Sequence, residues 1–152
     1  MSRKVMKRKA SDNEYLHKDF HGALSCGIEY LHQRFGPDAA TLFLRNFARS
    51  FYAPLRERIK NQGLRAIREH YEQVYAIEGG KIQFTATEDE LVLRVAACPA
   101  VQHMRSRGYP VARLFHETIN TALCEGTCFD AELLKYDPET GRSVQRFFRR
   151  PS

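Results

Sequence analysis

Residues 81–95, KIQFTATEDELVLRV, change the spacing of apolar side chains from helical to alternating and so indicate the fold class. Ile82 and Phe84 alternate with polar neighbours, and a second apolar run follows a polar turn around Thr87. Side chains of a strand point alternately to its two faces, so this alternation is typical of strands that cover a core on one side. The segment therefore predicts a β-hairpin with five largely buried residues: Ile82, Phe84, Leu91, Leu93 and Val95.

The chain before this hairpin has helical spacing. Apolar residues recur every three to four positions from Asn13 onward, and glycine or proline marks the breaks. Gly36-Pro37 separates the first two predicted helices, Pro54 restarts the chain into a third, and Gly63 precedes a fourth that Gly79-Gly80 ends. The predicted core positions are Leu16, Phe20, Leu24, Leu31 and Phe35 in the first helix, and Leu42, Phe43, Phe47 and Phe51 in the second.

The chain after the hairpin returns to helices and then to strands. A short helix is predicted from Cys98 to about Arg107, and a longer one from Val111 to Cys124. Phe129 to Tyr136 and Ser143 to Arg149 predict a last strand pair, joined by a polar turn. Strand pairs separated by helices favour an α+β fold, so we expect N-terminal helices, a β-hairpin, two helices and a second β-hairpin in one mostly antiparallel sheet.

The net charge of +6 in 152 residues is concentrated toward the two ends of the chain. Residues 1–12 are basic without an apolar period, which predicts a disordered tail before a single domain at residues 13–150. Basic tails supply nonspecific electrostatic attraction, and the sequence holds neither a known nucleic-acid-binding motif nor a basic run interleaved with aromatic residues. We therefore do not expect a nucleic-acid partner.

The hydropathy pattern bears on location. No apolar run approaches the about 20 residues that a membrane helix needs, and no apolar signal region follows the basic start. We expect no membrane partner and a cytoplasmic location. The sequence leaves open which cofactor is used, if any, and whether the chain forms a homo-oligomer.

Four cysteines are too few and too irregularly spaced for a disulfide framework. Cys124-x-x-x-Cys128 lacks the tighter knuckle and second ligand pair of a structural zinc site, and Cys98, His103 and His116 are scattered as further ligands. We therefore predict no metal site.

Cys98 is the strongest candidate for chemistry. It lies where a strand ends and Pro99 starts a helix, so unpaired backbone N–H groups are expected close to its thiol. Such groups lower a thiol's pKa, so a Cys98 that is catalytic or a ligand should be partly accessible and ionised near neutral pH. His103 lies five residues on and is the candidate partner. The alternative is a small buried residue that packs in the core.

Further candidates lie on two helices. Glu117, Asn120 and Cys124, with Thr121, fall at spacings that place them on one helix face, and Arg113 precedes them as a candidate for holding a carboxylate. The pattern predicts either a solvated face or the polar wall of a pocket between the helix at Cys98 and this one. His17 and His21 stand four residues apart on one helix face, but Lys18 stands where a metalloprotease would have its general-base glutamate, which rules out a site of that kind. The pair is expected either to be surface histidines or to place one histidine, His21, in the wall of a pocket.

Five short stretches carry a family resemblance: DFHGAL at 19–24, GIEYL at 27–31, IEGG at 77–80, CPAVQHMRSRGYPV at 98–111 and CEGTCF at 124–129. In this order they resemble the bacterial family named L-2-amino-thiazoline-4-carboxylic acid hydrolase, over roughly residues 15–150. The arrangement is more distantly similar to 4-vinyl-reductase-type small-molecule-binding domains.

The resemblance implies a hydrolase that opens a cyclic amidine, converting L-2-amino-thiazoline-4-carboxylate to N-carbamoyl-L-cysteine. That chemistry requires a base or nucleophile, a donor to the ring nitrogen and a cation for the carboxylate. From chemistry and spacing, we assign the catalytic roles to Cys98, His103 and Glu117. Substrate binding is assigned to His21, Arg113, Asn120 and Cys124. The alternative function is a non-catalytic small-molecule-binding or sensor domain.

Overall fold

The computed structural model describes residues 13–98, 100–101 and 111–151, with side chains from residue 22 onward except at 111 and 112. The predicted tail, His103 and most of the short helix after Cys98 lie outside this part; Ala100 and Val101 are helical. The helices are α1 (Asn13–Phe35), α2 (Pro37–Phe51), α3 (Ala53–Gln62), α4 (Leu64–Glu78) and α5 (Val111–Cys124), and the strands are β1 (Lys81–Ala86), β2 (Glu90–Ala97), β3 (Phe129–Tyr136) and β4 (Ser143–Arg149).

The four strands form one antiparallel sheet in the order β1-β2-β4-β3. The α+β prediction is confirmed, and both strand pairs belong to the same sheet because β2 pairs with β4 along their length. Leu91, Leu93 and Val95 are buried as predicted. Ile82 and Phe84 are only half-buried, because β1 is an edge strand with one neighbour.

Helix α2 buries a different face from the predicted one. Ala40, Leu44 and Ala48 are fully buried, whereas Leu42 is 59% and Phe51 57% exposed. The small side chains at every fourth position let α2 approach both α1 and α5 closely, and three phenylalanines on that face would hold the helices apart. Helix α1 buries the predicted face: Leu24 is buried, Leu31 packs partly buried against the core, and Ile28 of the same stripe is buried as well, whereas Phe35 at the end of the helix is 64% exposed.

The end of α5 is held to the helices before it by Glu125. Its carboxylate accepts hydrogen bonds from Arg45 Nε at 2.5 Å and Arg49 Nε at 2.8 Å, both on α2. Arg56 of α3 donates to the Glu125 carbonyl oxygen at 3.0 Å. Several charged contacts on one residue stabilise more than an isolated surface pair. They fix the position of α5, on which four of the candidate residues lie: Arg113, Glu117, Asn120 and Cys124.

None of the helices in the described part of the chain is both long and apolar enough to cross a membrane.

The β3–β4 turn packs against the segment that follows Cys98. Asp137 Oδ1 accepts the N–H groups of Glu139 and Thr140, which shapes the turn. Gly141 at its end is buried, has φ +71°, and a Cβ there would lie 2.6 Å from Val101 Cγ1. Only glycine fits both the backbone conformation and the space.

Gly141→Ala should therefore lower the free energy of unfolding more than Gly126→Ala. Gly126 has φ +74°, and no described neighbour lies within 4 Å of where its Cβ would be, so alanine there costs only the backbone term, about 1–2 kcal/mol. At Gly141 the contact with Val101 adds about 1–3 kcal/mol. Urea denaturation of the two variants measures the difference, and equal losses would contradict the close packing of this turn.

Candidate functional site

Cys98 lies directly after β2, and its thiol is enclosed. The residue is 3% exposed, and its Sγ lies 3.7 Å from Nε2 of His116 on α5, which is 5% exposed. His103, the partner predicted for Cys98, lies outside the described residues, and the histidine that the structure places at Cys98 is His116. The two residues are 18 positions apart and meet because α5 packs beside the end of β2. A buried thiol in contact with an imidazole is the arrangement from which a cysteine nucleophile can be activated.

Cys98 does not have the accessible, ionised thiol expected of a catalytic residue or ligand, and its burial matches the alternative of a small buried residue. Burial raises the pKa of the Cys98 thiol, so the group is protonated at neutral pH. The N–H of Val101, the hydroxyl of Tyr75 and the N–H of Ala100 act in the opposite direction, as expected at a helix start. Burial outweighs them because it removes the water that would solvate a thiolate.

A chain of buried hydrogen bonds runs beside this thiol. Tyr71 Oη donates to Asn120 Oδ1 at 2.6 Å, and Asn120 Nδ2 donates to Gln145 Oε1 at 2.6 Å. Gln145 Nε2 donates in turn to Ser143 Oγ at 3.0 Å. The chain connects α4, α5 and β4, and Asn120 uses both ends of its amide within it. Asn120, predicted to bind substrate, is therefore committed to holding the core together.

Tyr75, one helical turn after Tyr71, has no such partner. Its hydroxyl oxygen is buried and makes no hydrogen bond of normal geometry to any described residue. Burial, followed by the charge that Cys98 would carry as a thiolate, raises the pKa of Tyr75, so the phenol stays protonated. It is a hydrogen-bond donor held next to the Cys98 thiol.

The remaining predicted residues are distributed unevenly. Cys124 is 2% exposed, and burial raises the pKa of its thiol to about 12, which makes it a packing residue. Glu117 and Arg113 form a surface ion pair at 3.0 Å, with side chains 42% and 61% exposed. The predicted polar stripe therefore splits between the core and the solvent. The His21 side chain lies outside the described part of the chain.

Sequence reasoning missed the inward polar face of α5. His116 and Asn120 stand four residues apart, so they project on the same side of the helix, and both are buried. That spacing was available in the sequence. No local signal indicates that Tyr75, Gln145 and Ser143 come from other elements to meet them. Across the described residues, no group of three His, Cys, Asp or Glu side chains is placed to hold a metal ion.

A cavity of about 1010 Å³ opens beside this cluster, at the end of the sheet away from the β1–β2 turn. Tyr75 and Ser143 belong to both the cluster and the cavity lining, which also includes Tyr136. None of the predicted site residues with described side chains lines it; the prediction placed the pocket between two helices instead. The residues that line the cavity, which we call the cleft, are Glu72, Tyr75, Ala76, Gly80, Lys81, Ile82, Gln83, Phe84, Arg94, Val95, Ala96, Lys135, Tyr136, Asp137, Arg142, Ser143 and Val144.

Comparison with known proteins adds no family assignment. No protein-family model matches the chain, and no curated protein matches it. The resemblance to the thiazoline hydrolases stays a prediction from the sequence.

Tyr71→Phe and Tyr75→Phe should have different effects on stability. Tyr71→Phe leaves the buried Asn120 oxygen without its donor, which costs about 1–3 kcal/mol of unfolding free energy. Tyr75→Phe removes a buried hydroxyl that has no normal hydrogen bond, so the free energy should change by less than about 0.5 kcal/mol or rise. Urea denaturation measures both. A loss at Tyr75 as large as that at Tyr71 would mean that its hydroxyl has a structural partner.

Alkylation should separate Cys98 from the exposed Cys128. At pH 7 iodoacetamide should modify Cys128 at least about tenfold faster, because a thiolate is the reacting species and Cys98 is buried and protonated. The Cys98 rate should keep rising above about pH 9, since its pKa is raised. Peptide mass spectrometry resolves the two sites. Equal rates at pH 7 would contradict the enclosed thiol.

Proposed function

We propose that the chain is a hydrolase that opens a cyclic amidine ring, a reaction of the kind that converts L-2-amino-thiazoline-4-carboxylate to N-carbamoyl-L-cysteine. The observation that carries the proposal is the 3.7 Å contact between Cys98 Sγ and His116 Nε2. A cysteine next to a histidine is a nucleophile with its general base. The substrate follows from the sequence resemblance, and the contact supports the chemistry.

In the proposed reaction Cys98 attacks the ring carbon that lies between nitrogen and sulfur. Its thiol proton passes to His116 as the new C–S bond forms, and the ring nitrogen takes up a proton from solvent. The ring C–S bond then breaks, His116 returns its proton to the departing sulfur, and the exocyclic amino group releases one proton to solvent as its C=N bond forms. The result is an isothiourea between Cys98 and the opened substrate. Water adds to the same carbon, His116 takes its proton, and Cys98 leaves as a thiol, so that the product is a urea.

The surroundings of Cys98 suit this sequence of steps. A protonated resting thiol needs a base at the moment of attack, and His116 is in contact with it. The N–H groups of Ala100 and Val101 and the Tyr75 hydroxyl favour negative charge on the sulfur. They stabilise this negative charge most in the two transition states, when Cys98 attacks the ring carbon and when it leaves. Stabilisation of a transition state is what accelerates a reaction. Glu117, paired with Arg113 at the surface, has no part in this proposal.

A non-catalytic small-molecule-binding domain is the second candidate. It is favoured by the burial of Cys98, which is 3% exposed and absent from the lining of the cleft. A chain of this kind would use the same cleft and leave its ligand unchanged.

Cys98→Ser and His116→Gln should each lower kcat for ring opening at least about 100-fold, because each removes one half of the nucleophile–base pair. Formation of N-carbamoyl-L-cysteine from the thiazoline, followed by mass spectrometry, measures turnover. Thermal melting of the same samples shows that the variants are folded.

The matched control is Cys124→Ser, which changes another buried cysteine outside the proposed pair. It should keep turnover within about threefold of the wild type once its stability is accounted for. Full activity of a folded Cys98→Ser protein would remove the proposed nucleophile. Ligand-induced stabilisation of the wild type with no product would favour the binding domain.

A further inference from the structure

The cleft carries more positive than negative charge. Its lining includes Lys81, Arg94, Lys135 and Arg142, against two carboxylates, Glu72 and Asp137. Clefts lined by charge of one sign concentrate ligands of the opposite sign, because the surrounding protein focuses the field. The charges matter only if they are not already neutralised by partners.

The two carboxylates of the cleft are already engaged. Glu72 accepts a hydrogen bond from Arg68 Nε at 2.8 Å, which pairs it along α4. Asp137 accepts bonds from the Thr140 hydroxyl at 2.5 Å and from the N–H of Glu139 at 2.9 Å. Thr140 and Glu139 belong to the β3–β4 turn, so the Asp137 carboxylate stabilises that turn.

The four cations of the cleft are not engaged in this way. Among the described residues, none of the four lies within ion-pair distance of a carboxylate, although nine other Lys and Arg residues do. The three remaining arginines of the described part have other contacts. Arg34 stacks on Tyr30, and Arg56 and Arg150 donate hydrogen bonds to backbone carbonyls. Four of the seven described Lys and Arg residues that form no ion pair therefore line the cleft, and of these four Arg142 interacts electrostatically with Asp137.

The register of the sheet places two of these cations around one apolar side chain. Arg94 of β2 and Lys135 of β3 both lie opposite Val144 of the intervening strand β4. Residues directly opposite each other in antiparallel strands share a face, so the three form a row. Arg94 and Lys135 are two strand spacings apart, about 9–10 Å, and their long side chains can reach a common anion over Val144. Arg94 is anchored by a 3.1 Å hydrogen bond to Thr85 Oγ1.

We infer that the cleft binds a small organic carboxylate with a flat apolar body, and that Arg94 and Lys135 hold the carboxylate. Arg94 can offer a two-pronged donor and Lys135 a point charge. Val144 lies between the two cations on the same face of the sheet and provides apolar surface for the body of the ligand. Phe84 and Tyr136 line the part of the cleft on the opposite face, where they pair with Leu93 and Ser143. The inference rests on the proposed function in taking the cleft as the binding site, and it assigns the carboxylate to these residues and not to Arg113.

A pair of probes of equal shape tests the charge. The ligands are 2-naphthoate and its neutral amide, 2-naphthamide. Their fluorescence can be excited at wavelengths longer than those that tyrosine absorbs, and the chain has no tryptophan whose emission would interfere. The wild type should bind 2-naphthoate about tenfold more tightly than 2-naphthamide, as a charge-assisted contact predicts. Arg94→Gln with Lys135→Gln should remove that preference and leave the Kd of 2-naphthamide unchanged.

The matched control is Lys60→Gln with Arg65→Gln. It also removes one lysine and one arginine, but these residues pair with Glu57 and Glu69 and do not line the cleft. The control should keep the preference for 2-naphthoate. A control as weak as the cleft variant would show that net charge alone matters, and would overturn the assignment. Equal binding of the two probes by the wild type, or no binding of either, would also overturn it.

Ring opening of the thiazoline by the same wild-type sample separates the two proposals. Turnover without a preference for 2-naphthoate would leave the hydrolase proposal standing and overturn the carboxylate site. A preference for 2-naphthoate that is lost in the cleft variant, together with no turnover, would support the carboxylate site and count against the hydrolase.

Discussion

The hydrogen-bond chain from Tyr71 through Asn120 and Gln145 to Ser143 is the interaction on which the site depends. Buried polar groups are costly when unpaired, so each link fixes the distance between the elements that carry it. Helices α4 and α5 and strand β4 are thereby held in one arrangement. One helical turn from Tyr71 lies Tyr75, and one turn from Asn120 lies His116. The same links therefore bring both side chains to Cys98.

Two opposing effects act on the Cys98 thiol, and their balance decides its chemistry. Neighbouring backbone N–H groups and the Tyr75 hydroxyl favour the thiolate, whereas burial disfavours it and prevails, so the pKa is raised. A thiol in this state is inert toward solvent and needs a base in contact to react. His116 occupies that position at 3.7 Å. The surroundings thus protect the thiol from solvent and leave hydrogen-bond donors next to its sulfur.

Ion pairs on the surface are common on the helices and absent at the described cations of the sheet end beside the cleft. Arginines on the helices face carboxylates one turn away or on a neighbouring element, as Arg68 does with Glu72 and Arg49 with Glu125. At the sheet end beside the cleft, Arg94 and Lys135 flank an apolar valine instead. A structural role would place a carboxylate between them, since exposed like charges repel. Their arrangement suits an anionic partner from outside the chain.

The sequence alone was sufficient for the secondary structure and the sheet pairs, because alternation along β2 and the glycine and proline breaks between helices are local properties. The sequence was insufficient wherever apolar residues recur at helical spacing on two faces of the same helix. On α2 the phenylalanine stripe and the Ala40–Leu44–Ala48 stripe have the same helical spacing, and the approach of α1 and α5 decided which was buried. The protonation state of Cys98 and its contact with His116 were likewise decided by the tertiary structure, because burial and contacts between distant segments depend on how the elements pack.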